Sequence, residues 1–295
     1  MSIIERAIQK SREGKPSSAR RASESKANVT DERIQQAAAI ESAVRIRSVP
    51  VSVDLDACRE RRVLLQGGDD GDGTAVAAYR MLRTRFLHRV RAKQWTTIAI
   101  TSAGPNDGKT LTALNLACSM AREKSREIVL LDMDMRNPSV FRALGIEPKR
   151  ELRDYLENGN GTNGIFVSVS SDNLLIAGSV RPTHQASELL ASPRFDQLIG
   201  DLKRGTVNPI VLIDLPPVLV TDDALVIAPK IDAFLVVASE GLTGRAELTK
   251  ALNVLAEFPI AGLVLNRAIE TTPGYDYRYD GYVGKDEAEK EAGQD

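Results

Sequence analysis

The sequence predicts an α/β fold in which helices cover both faces of a mostly parallel central sheet. Near-continuous apolar runs, typical of strands that are buried on both sides, alternate with segments of helical periodicity along much of the chain. Two of these runs end in an acidic residue, and another ends in a loop of small residues. Because ligands of such sheets bind at the carboxyl ends of the strands, the polar strand ends predict a ligand site at one edge.

The individual elements follow from the period of the apolar residues. The strands are predicted, in chain order, at residues 95–101, 126–132, 173–177, 208–214, 233–239 and 259–266. The helices are predicted at residues 75–91, 111–120, 194–203, 222–231 and 244–258. Right-handed crossovers should connect the parallel strands.

The loop after the first of these strands has the pattern of a phosphate-binding loop. It ends in Gly108-Lys109-Thr110, and Ala103 stands where the usual motif has glycine, with Gly104 beside it. Backbone N–H groups of such a loop and the following helix N-terminus cradle phosphate. Lys109 should reach the β- and γ-phosphates, and the Thr110 hydroxyl should bind Mg²⁺. The predicted nucleotide-binding residues here are Ala103, Gly104, Asn106, Asp107, Gly108, Lys109, Thr110 and Leu111.

Two acid-terminated strands should bring carboxylates to the same edge of the sheet. Asp132 and Asp134 follow one apolar run, and Asp214 follows another. Carboxylates could bind the Mg²⁺ of a nucleotide or accept a proton from an attacking hydroxyl. The predicted metal ligands are Thr110, Asp132 and Asp214, and the predicted catalytic residues are Lys109, Asp132, Asp134 and Asp214. The alternative is that each strand-end aspartate only caps the next helix.

Three further residues are predicted to contact the nucleotide. Arg136 could neutralise phosphate charge or bind a carboxylate of a neighbouring molecule. Asn266 and Arg267, at the end of the last strand, are candidate contacts to the base.

Composition limits the class of protein. The 295 residues carry a net charge of −1, so no basic field indicates a nucleic-acid partner. The two cysteines, Cys58 and Cys118, match no metal-binding spacing, and a reduced, cytoplasmic setting fits them. No run of 18 apolar residues predicts a membrane span, and the N-terminus lacks the apolar core of a signal peptide.

The chain divides into three predicted regions. Residues 1–73 combine a short amphipathic helix over residues 2–12 with a polar, flexible linker; this helix could pack on its own domain or dock on a partner or membrane surface. Residues 74–268 form the nucleotide-binding domain and begin with a basic helix at 74–92. Residues 269–295 are a flexible tail.

The tail contains a cluster of tyrosines. Four of the six tyrosines of the chain lie in eight residues, at Tyr275, Tyr277, Tyr279 and Tyr282. An exposed cluster of this kind has little use in simple nucleotide hydrolysis, but it suits a kinase that uses tyrosine as the phosphoryl acceptor. An edge strand is the alternative, since alternating tyrosines suit one.

Together these motifs resemble the bacterial tyrosine kinases of capsule and exopolysaccharide synthesis. The phosphate loop at 103–110, the Asp-x-Asp-x-Arg strand end at 132–136, the Asp-x-Pro-Pro strand end at 214–217 and the tyrosine tail all match that family. The N-terminal helix and the 221–224 segment most resemble the autokinases of exosortase-linked exopolysaccharide loci. The resemblance implies a P-loop NTPase fold of the MinD/ParA-like type.

The resemblance also implies an activity and its partners. It implies ATP and Mg²⁺ as cofactors and phosphorylation of the tyrosine tail in trans within ring-like homo-oligomers. It implies a membrane chain-length regulator, a Wzz-like polysaccharide co-polymerase, as activator, a cognate tyrosine phosphatase, and a cytoplasmic location at the inner face of the membrane through that partner. Nucleic acid is not among the implied partners.

One departure and two alternative functions stand beside this interpretation. The oligomerisation helix of the family usually reads Glu-x-x-Arg-x-x-Arg, but Ala77 replaces the acid here, while Arg80 and Arg83 remain.

A MinD/ParA-like positioning ATPase would carry a second lysine early in the loop, where this chain has Gly104, and would lack a tyrosine tail. A non-catalytic scaffold whose nucleotide sets its assembly state is the third possibility.

Overall fold

A computed structural model describes residues 46–65, 73–169 and 173–268 of the chain. The predicted N-terminal helix, most of the linker and the tyrosine tail lie outside these residues.

Eight strands form one sheet in the order β1-β4-β5-β3-β6-β2-β7-β8. All neighbouring strands are parallel except β4 and β5, so the predicted mostly parallel sheet is confirmed. The strands are β1 (Ser48–Pro50), β2 (Thr97–Ser102), β3 (Ile128–Asp132), β4 (Phe166–Ser168), β5 (Leu174–Ala177), β6 (Ile210–Asp214), β7 (Ala233–Ser239) and β8 (Ile260–Asn266).

The helices include all those that the sequence predicted within the described residues, together with several short ones. They are α1 (Leu55–Glu60), α2 (Gly73–Lys93), α3 (Lys109–Met120), α4 (Val140–Leu144), α5 (Leu152–Asn158), α6 (Ala186–Ala191), α7 (Pro193–Gly205), α8 (Asp223–Ile227) and α9 (Arg245–Val254). A 3₁₀ turn, Ala228–Lys230, extends α8, and together they cover most of the single helix that was predicted at 222–231.

Local signals explain why the longer helices begin where they do. In α7 the Ser192 side chain accepts a hydrogen bond from the Phe195 N–H, and Pro193 occupies the first helical position. The buried residues of this helix recur at helical spacing, at Phe195, Leu198, Ile199 and Leu202. This stripe packs α7 against one face of the sheet.

The sheet separates two apolar clusters, one on each face. Every residue of β2, β3, β6 and β7 is buried, which explains the near-continuous apolar runs in the sequence. Helices α2 and α3 contribute to the cluster that contains Ile98, and helices α7 and α9 contribute to the cluster that contains Ala99. Neighbouring residues of one strand therefore point into opposite cores, and the ligand site is left to the strand ends.

Candidate active site

The loop between β2 and α3 adopts a conformation that its glycine and asparagine permit. Asn106 and Gly108 both have positive φ, at 65° and 88°. A Cβ atom at Gly108 would lie 2.1 Å from Asn266 Nδ2, so this position also needs glycine for the close approach of another chain segment. Gly104, in contrast, has open space where a Cβ atom would stand. The glycine that the loop requires is therefore the one directly before Lys109.

A buried aspartate holds this loop in place from inside. The Asp107 carboxylate accepts hydrogen bonds from the Gly104 N–H at 3.1 Å and from the Thr243 hydroxyl at 2.6 Å. The Asn266 amide donates to the Asp107 backbone carbonyl at 2.9 Å. Asp107 is only 1% exposed. The side chains of Asp107 and Asn266, which the sequence suggested as nucleotide contacts, thus tie the loop to the ends of β7 and β8.

The predicted carboxylates come together on the edge beside the loop. Strands β3 and β6 are neighbours, and their register places Asp132 directly opposite Asp214. Both residues are buried, and so is Asp134, two residues beyond the end of β3. The carboxyl ends of parallel strands meet at one edge, so the two apolar runs deliver their acids to the same place.

Lys109 and Thr110 join the phosphate loop to these carboxylates. The Lys109 ammonium lies 2.7 Å from Asp134 Oδ2. The Thr110 hydroxyl donates to Asp214 Oδ2 at 2.5 Å, and the Ser139 hydroxyl donates to Thr110 Oγ1 at 3.1 Å. The residues predicted from widely separated motifs therefore form one connected cluster, and Ser139 is a member that the sequence did not indicate.

Asp132 also caps a helix, which was the alternative interpretation for the strand-end acids. Its Oδ2 atom accepts the N–H groups of Ser139 and Val140, each at 2.8 Å, at the start of α4. The other oxygen, Oδ1, is buried without a hydrogen-bond partner among the described residues. Asp132 thus combines a structural contact with a free carboxylate oxygen.

Burial and mutual repulsion shift the ionisation of the cluster. Burial, followed by the charge of Asp214, raises the pKa of Asp132 to about 7. Burial raises the pKa of Asp214 to about 6, although Lys109 and the Thr110 hydroxyl act in the opposite direction. Burial acts to lower the pKa of Lys109, but the charges of Asp214 and Asp134 together raise it above its ordinary value. The site therefore holds more negative charge than its own lysine balances.

A hard divalent cation fits this arrangement. Asp214 Oδ1, like Asp132 Oδ1, is buried and lacks a hydrogen-bond partner among the described residues. Within the part of the chain that the structure describes, no group of three or more His, Cys, Asp or Glu side chains could hold a metal by itself. Mg²⁺ typically uses one or two carboxylates and takes its other ligands from phosphate and water. Two free carboxylate oxygens beside a threonine hydroxyl match that requirement.

The remaining predicted contacts have other neighbours in the structure. The Arg136 guanidinium lies 3.5 Å from the buried Asp223 carboxylate and donates to the Ser187 hydroxyl at 3.1 Å. Arg136 is therefore engaged by a carboxylate of its own chain, and both of its predicted roles stay predictions. Arg267 is exposed, with a positive φ of 55°, directly after β8.

Gly178 is a further residue of the site that the sequence did not indicate. It follows β5, next to β3, and a Cβ atom there would lie 2.9 Å from Asp132 Cβ, closer than real contacts allow. We expect Gly178→Ala to displace Asp132 by a few tenths of an ångström and to lower turnover roughly tenfold or more, because small misplacements of reacting groups are costly.

Steady-state kinetics with Gly73→Ala as the matched control would check this prediction. Gly73 begins α2, outside the site, and a Cβ atom there meets no other atom within 4 Å. Equal turnover in the two variants and the wild type would contradict a role for Gly178 in placing Asp132.

Comparisons with known proteins place this site in a family. The protein family described as "ParA: NUBPL iron-transfer P-loop NTPase" matches residues 94–294 of this chain. The tyrosine-protein kinase CpsD of Streptococcus pneumoniae is 33% identical over 178 residues, which are 58% of this chain and 75% of that protein. This chain is a ParA-type P-loop NTPase of the bacterial tyrosine kinase family. Nucleotide binding at the loop before α3 follows from that membership.

Two more relatives show how much of a bacterial tyrosine kinase is present. Tyrosine-protein kinase wzc of Salmonella typhimurium is 30% identical over 222 residues, which are 73% of this chain and 30% of that protein. The chain therefore spans less than a third of that longer relative. The kinase domain of Escherichia coli tyrosine kinase ETK superposes with a TM-score of 0.63 at 25% identity, and the match covers 80% of this chain and 94% of that domain.

Proposed function

We propose that this bacterial tyrosine kinase uses Mg²⁺ and ATP to phosphorylate the tyrosine cluster of its own C-terminal tail in trans, and that it thereby regulates capsule or exopolysaccharide synthesis. The observation that carries the proposal is the convergence of Lys109, Thr110, Asp132, Asp134 and Asp214 at one sheet edge, in a chain whose relatives are named tyrosine-protein kinases.

The phosphate loop and Lys109 bind and orient the triphosphate. The N–H groups at the start of α3 point towards bound phosphate, and Lys109 supplies a positive charge at the β- and γ-phosphates. The Lys109 ammonium also pairs with Asp134, so this lysine joins the phosphate loop to the acidic cluster.

Thr110, Asp132 and Asp214 would hold Mg²⁺ through the threonine hydroxyl and the two free carboxylate oxygens. When bound, the ion neutralises charge on the phosphates. Its presence would also offset the repulsion between the two buried carboxylates.

The transfer itself needs an acceptor for one proton. The tyrosine oxygen forms a bond to the γ-phosphorus, the bond between that phosphorus and the β,γ-bridging oxygen breaks, and ADP leaves. The phenolic proton passes to a carboxylate of the Asp132–Asp134 pair, which lies at the end of β3. The acceptors are Tyr275, Tyr277, Tyr279 and Tyr282.

The partners of this activity are part of the same proposal. A membrane chain-length regulator of the Wzz type would activate the kinase and hold it at the inner face of the membrane, and a tyrosine phosphatase would reverse the modification. No helix among the described residues has the length and apolar character needed to cross a membrane. With Ala77 in place of the usual acid of the oligomerisation helix, homo-oligomers would depend more on the activator or on rebuilt contacts.

The test is mass spectrometry of the purified chain after incubation with Mg²⁺-ATP, with and without a membrane activator of the Wzz type. We expect phosphate on residues 275–282. Replacing the four tail tyrosines with Phe should remove most phosphate incorporation but leave nucleotide affinity unchanged, because the tail carries the acceptors and the phosphate loop carries the binding.

Two outcomes would contradict the proposal. Phosphotyrosine that persists in the four-fold Phe variant would place the acceptor elsewhere. ADP formation without phosphotyrosine under either condition would favour the alternative function, a MinD/ParA-like positioning ATPase.

A further inference from the structure

The sheet ends at an edge strand with one exposed apolar face. Within the described residues, β8 pairs with no strand other than β7, so its outer edge presents unpaired backbone N–H and C=O groups. Leu263 and Leu265 are 53% and 57% exposed on the same face of this strand. Leu263 lies beside Val236, which packs in the core together with Ala251 of α9. The exposed leucines therefore lie on the α9 side of the sheet.

The other face of β8 borders a basic groove. The groove has a volume of about 760 Å³ and lies between β8 and α2, where Met81, Arg85 and Arg89 line it on the helix side. Helix α2 contains six Lys and Arg residues and no acidic residue. Two of these arginines, Arg83 and Arg91, contact Glu123.

Arg85 and Arg89 are two of the three arginines among the described residues that line the groove. No ion pair or side-chain hydrogen bond joins the guanidinium of Arg85 or Arg89 to another described residue. An acidic extended segment would therefore complement this side of the edge strand.

The chain itself supplies a segment of that kind directly after β8. Residues 269–295 contain eight acidic and three basic residues. Pro273-Gly274 is a pair that favours a type II turn. Beyond it, Tyr275, Tyr277 and Tyr279 alternate with charged residues. An extended backbone would put these tyrosines on one face and the charged side chains on the other.

We propose that residues 275–282 dock in cis as a ninth strand, antiparallel to β8, with Tyr277 opposite Leu265 and Tyr279 opposite Leu263. The connection would be the seven residues 268–274, which include the Pro273-Gly274 turn and are longer than the two to five residues of the commonest hairpin loops. In this register the tyrosines cover the exposed leucines, since aromatic and aliphatic side chains form favourable cross-strand pairs.

The same register places the charged side chains on the opposite face. Asp276 and Asp280, with Arg278 between them, then face the α2 side, where Arg85 and Arg89 line the groove, so the two carboxylates outnumber the one added cation. A slip of one residue would turn the tyrosines towards the groove and the aspartates towards the leucines. The alternating pattern therefore favours this register over one that is shifted by a single residue.

Docking of this kind would store two of the four acceptor tyrosines, Tyr279 and Tyr282, away from the phosphate loop. Because the added strand runs antiparallel to β8, Tyr279 and Tyr282 would lie towards the edge of the sheet that is opposite to Lys109. A phosphate adds about −2 charge to a tyrosine, and that charge next to Leu263 or Leu265 would release the strand. This regulatory consequence rests on the proposed kinase activity, whereas the docking itself does not.

Disulfide formation in the full-length chain, without ATP, tests the docking. The variant Leu265→Cys/Tyr277→Cys places two thiols on the same face, directly opposite each other and within reach of a disulfide after a small backbone adjustment. The matched control, Leu265→Cys/Arg278→Cys, differs by one residue and places the thiols on opposite faces. The native Cys58 and Cys118 are buried, at 0% and 5% exposure, and are common to both variants. Under mild oxidation we expect the first variant to form an intramolecular disulfide at least tenfold faster.

Two results would overturn the proposal. Equal rates in the two variants would mean that the tail does not adopt this register. Disulfide-linked dimers in place of intramolecular products would mean that the tail of a second copy of the chain pairs with β8.

A kinase measurement tests the consequence separately. In Leu263→Ser/Leu265→Ser the apolar face is lost, and we expect tail phosphorylation to start severalfold faster than in the wild type. An unchanged or slower rate, in a preparation whose wild type is active, would overturn the storage role. If no preparation phosphorylates tyrosine, the kinase proposal fails, but the disulfide result still decides the docking.

Discussion

Replacing Lys109 with Met is expected to abolish tyrosine phosphorylation of the tail, by about 10³-fold or more, because the only cation of the acidic cluster is also the residue that would contact the β- and γ-phosphates. Mass spectrometry of tail peptides after incubation with Mg²⁺-ATP would measure the loss. The phosphotyrosine signal of residues 275–282 should fall to background.

The structure adds an effect on stability to this prediction. The Lys109 side chain is 12% exposed and that of Asp134 is 4% exposed, so the variant leaves a nearly buried carboxylate without its partner. Breaking such a pair costs roughly 3 kcal/mol. Lys109→Met should therefore unfold at a lower denaturant concentration than the wild type while remaining folded in buffer. Tail labelling that survives in a folded Lys109→Met preparation would refute the site assignment.

Replacing Asp132 with Asn should have opposite effects on activity and on stability. The oxygen of the Asn side chain can still accept the N–H groups of Ser139 and Val140, so the cap of α4 is kept. The amide nitrogen would replace the free Oδ1 atom. We expect turnover to fall by about 10² to 10⁴, the range for loss of a group that binds or moves a proton in the transition state.

Stability without nucleotide should rise in the same variant. Burial and Asp214 raise the pKa of Asp132 from 3.8 to about 7, so between these two pH values the folded wild type holds a proton that the unfolded chain does not. The contribution of Asp132 therefore becomes less favourable as pH rises through this window. One unit of pKa corresponds to about 1.4 kcal/mol, and we expect Asp132→Asn to gain at least about that much at pH 8.

Urea unfolding at pH 8 and at pH 4.5, without Mg²⁺ or nucleotide, would measure this gain. It should shrink at the lower pH, where the wild-type carboxyl is largely protonated. Asp196→Asn is the control, because it removes an exposed carboxylate that pairs with Lys230 and lies outside the buried cluster. A loss of stability at pH 8 in Asp132→Asn would show that Asp132 is not a repelling buried charge.

The elements that depend on long local patterns could be predicted from the sequence. Strands β2, β3, β6 and β7 carry apolar runs that are long enough to be recognised, and the loop between 103 and 110 has its own motif. The acids at the ends of β3 and β6 follow from the rule that parallel strands end at one edge. The fold class and the central acidic cluster could therefore be predicted from the sequence.

The elements that depend on distant contacts could not be predicted. Strands β1 and β4 have three residues each, and the neighbour in the sheet, more than the local period, makes them strands. Ser139, Gly178 and Thr243 entered the site only through contacts with residues far away in the chain. The role of Asp107 could not be predicted for the same reason. Its carboxylate accepts hydrogen bonds from Gly104 and from the distant Thr243, and no local motif indicates the second contact.

The anchoring of Asp107 has a consequence for the order of events during synthesis. Thr243 and Asn266 follow Asp107 by 136 and 159 residues, so the loop lacks two of its supports until nearly the whole domain has left the ribosome. Contacts of such sequence separation form late because the intervening chain must first be ordered. A nascent chain that ends before residue 266 should therefore bind nucleotide weakly, which delays phosphoryl transfer until the domain is complete.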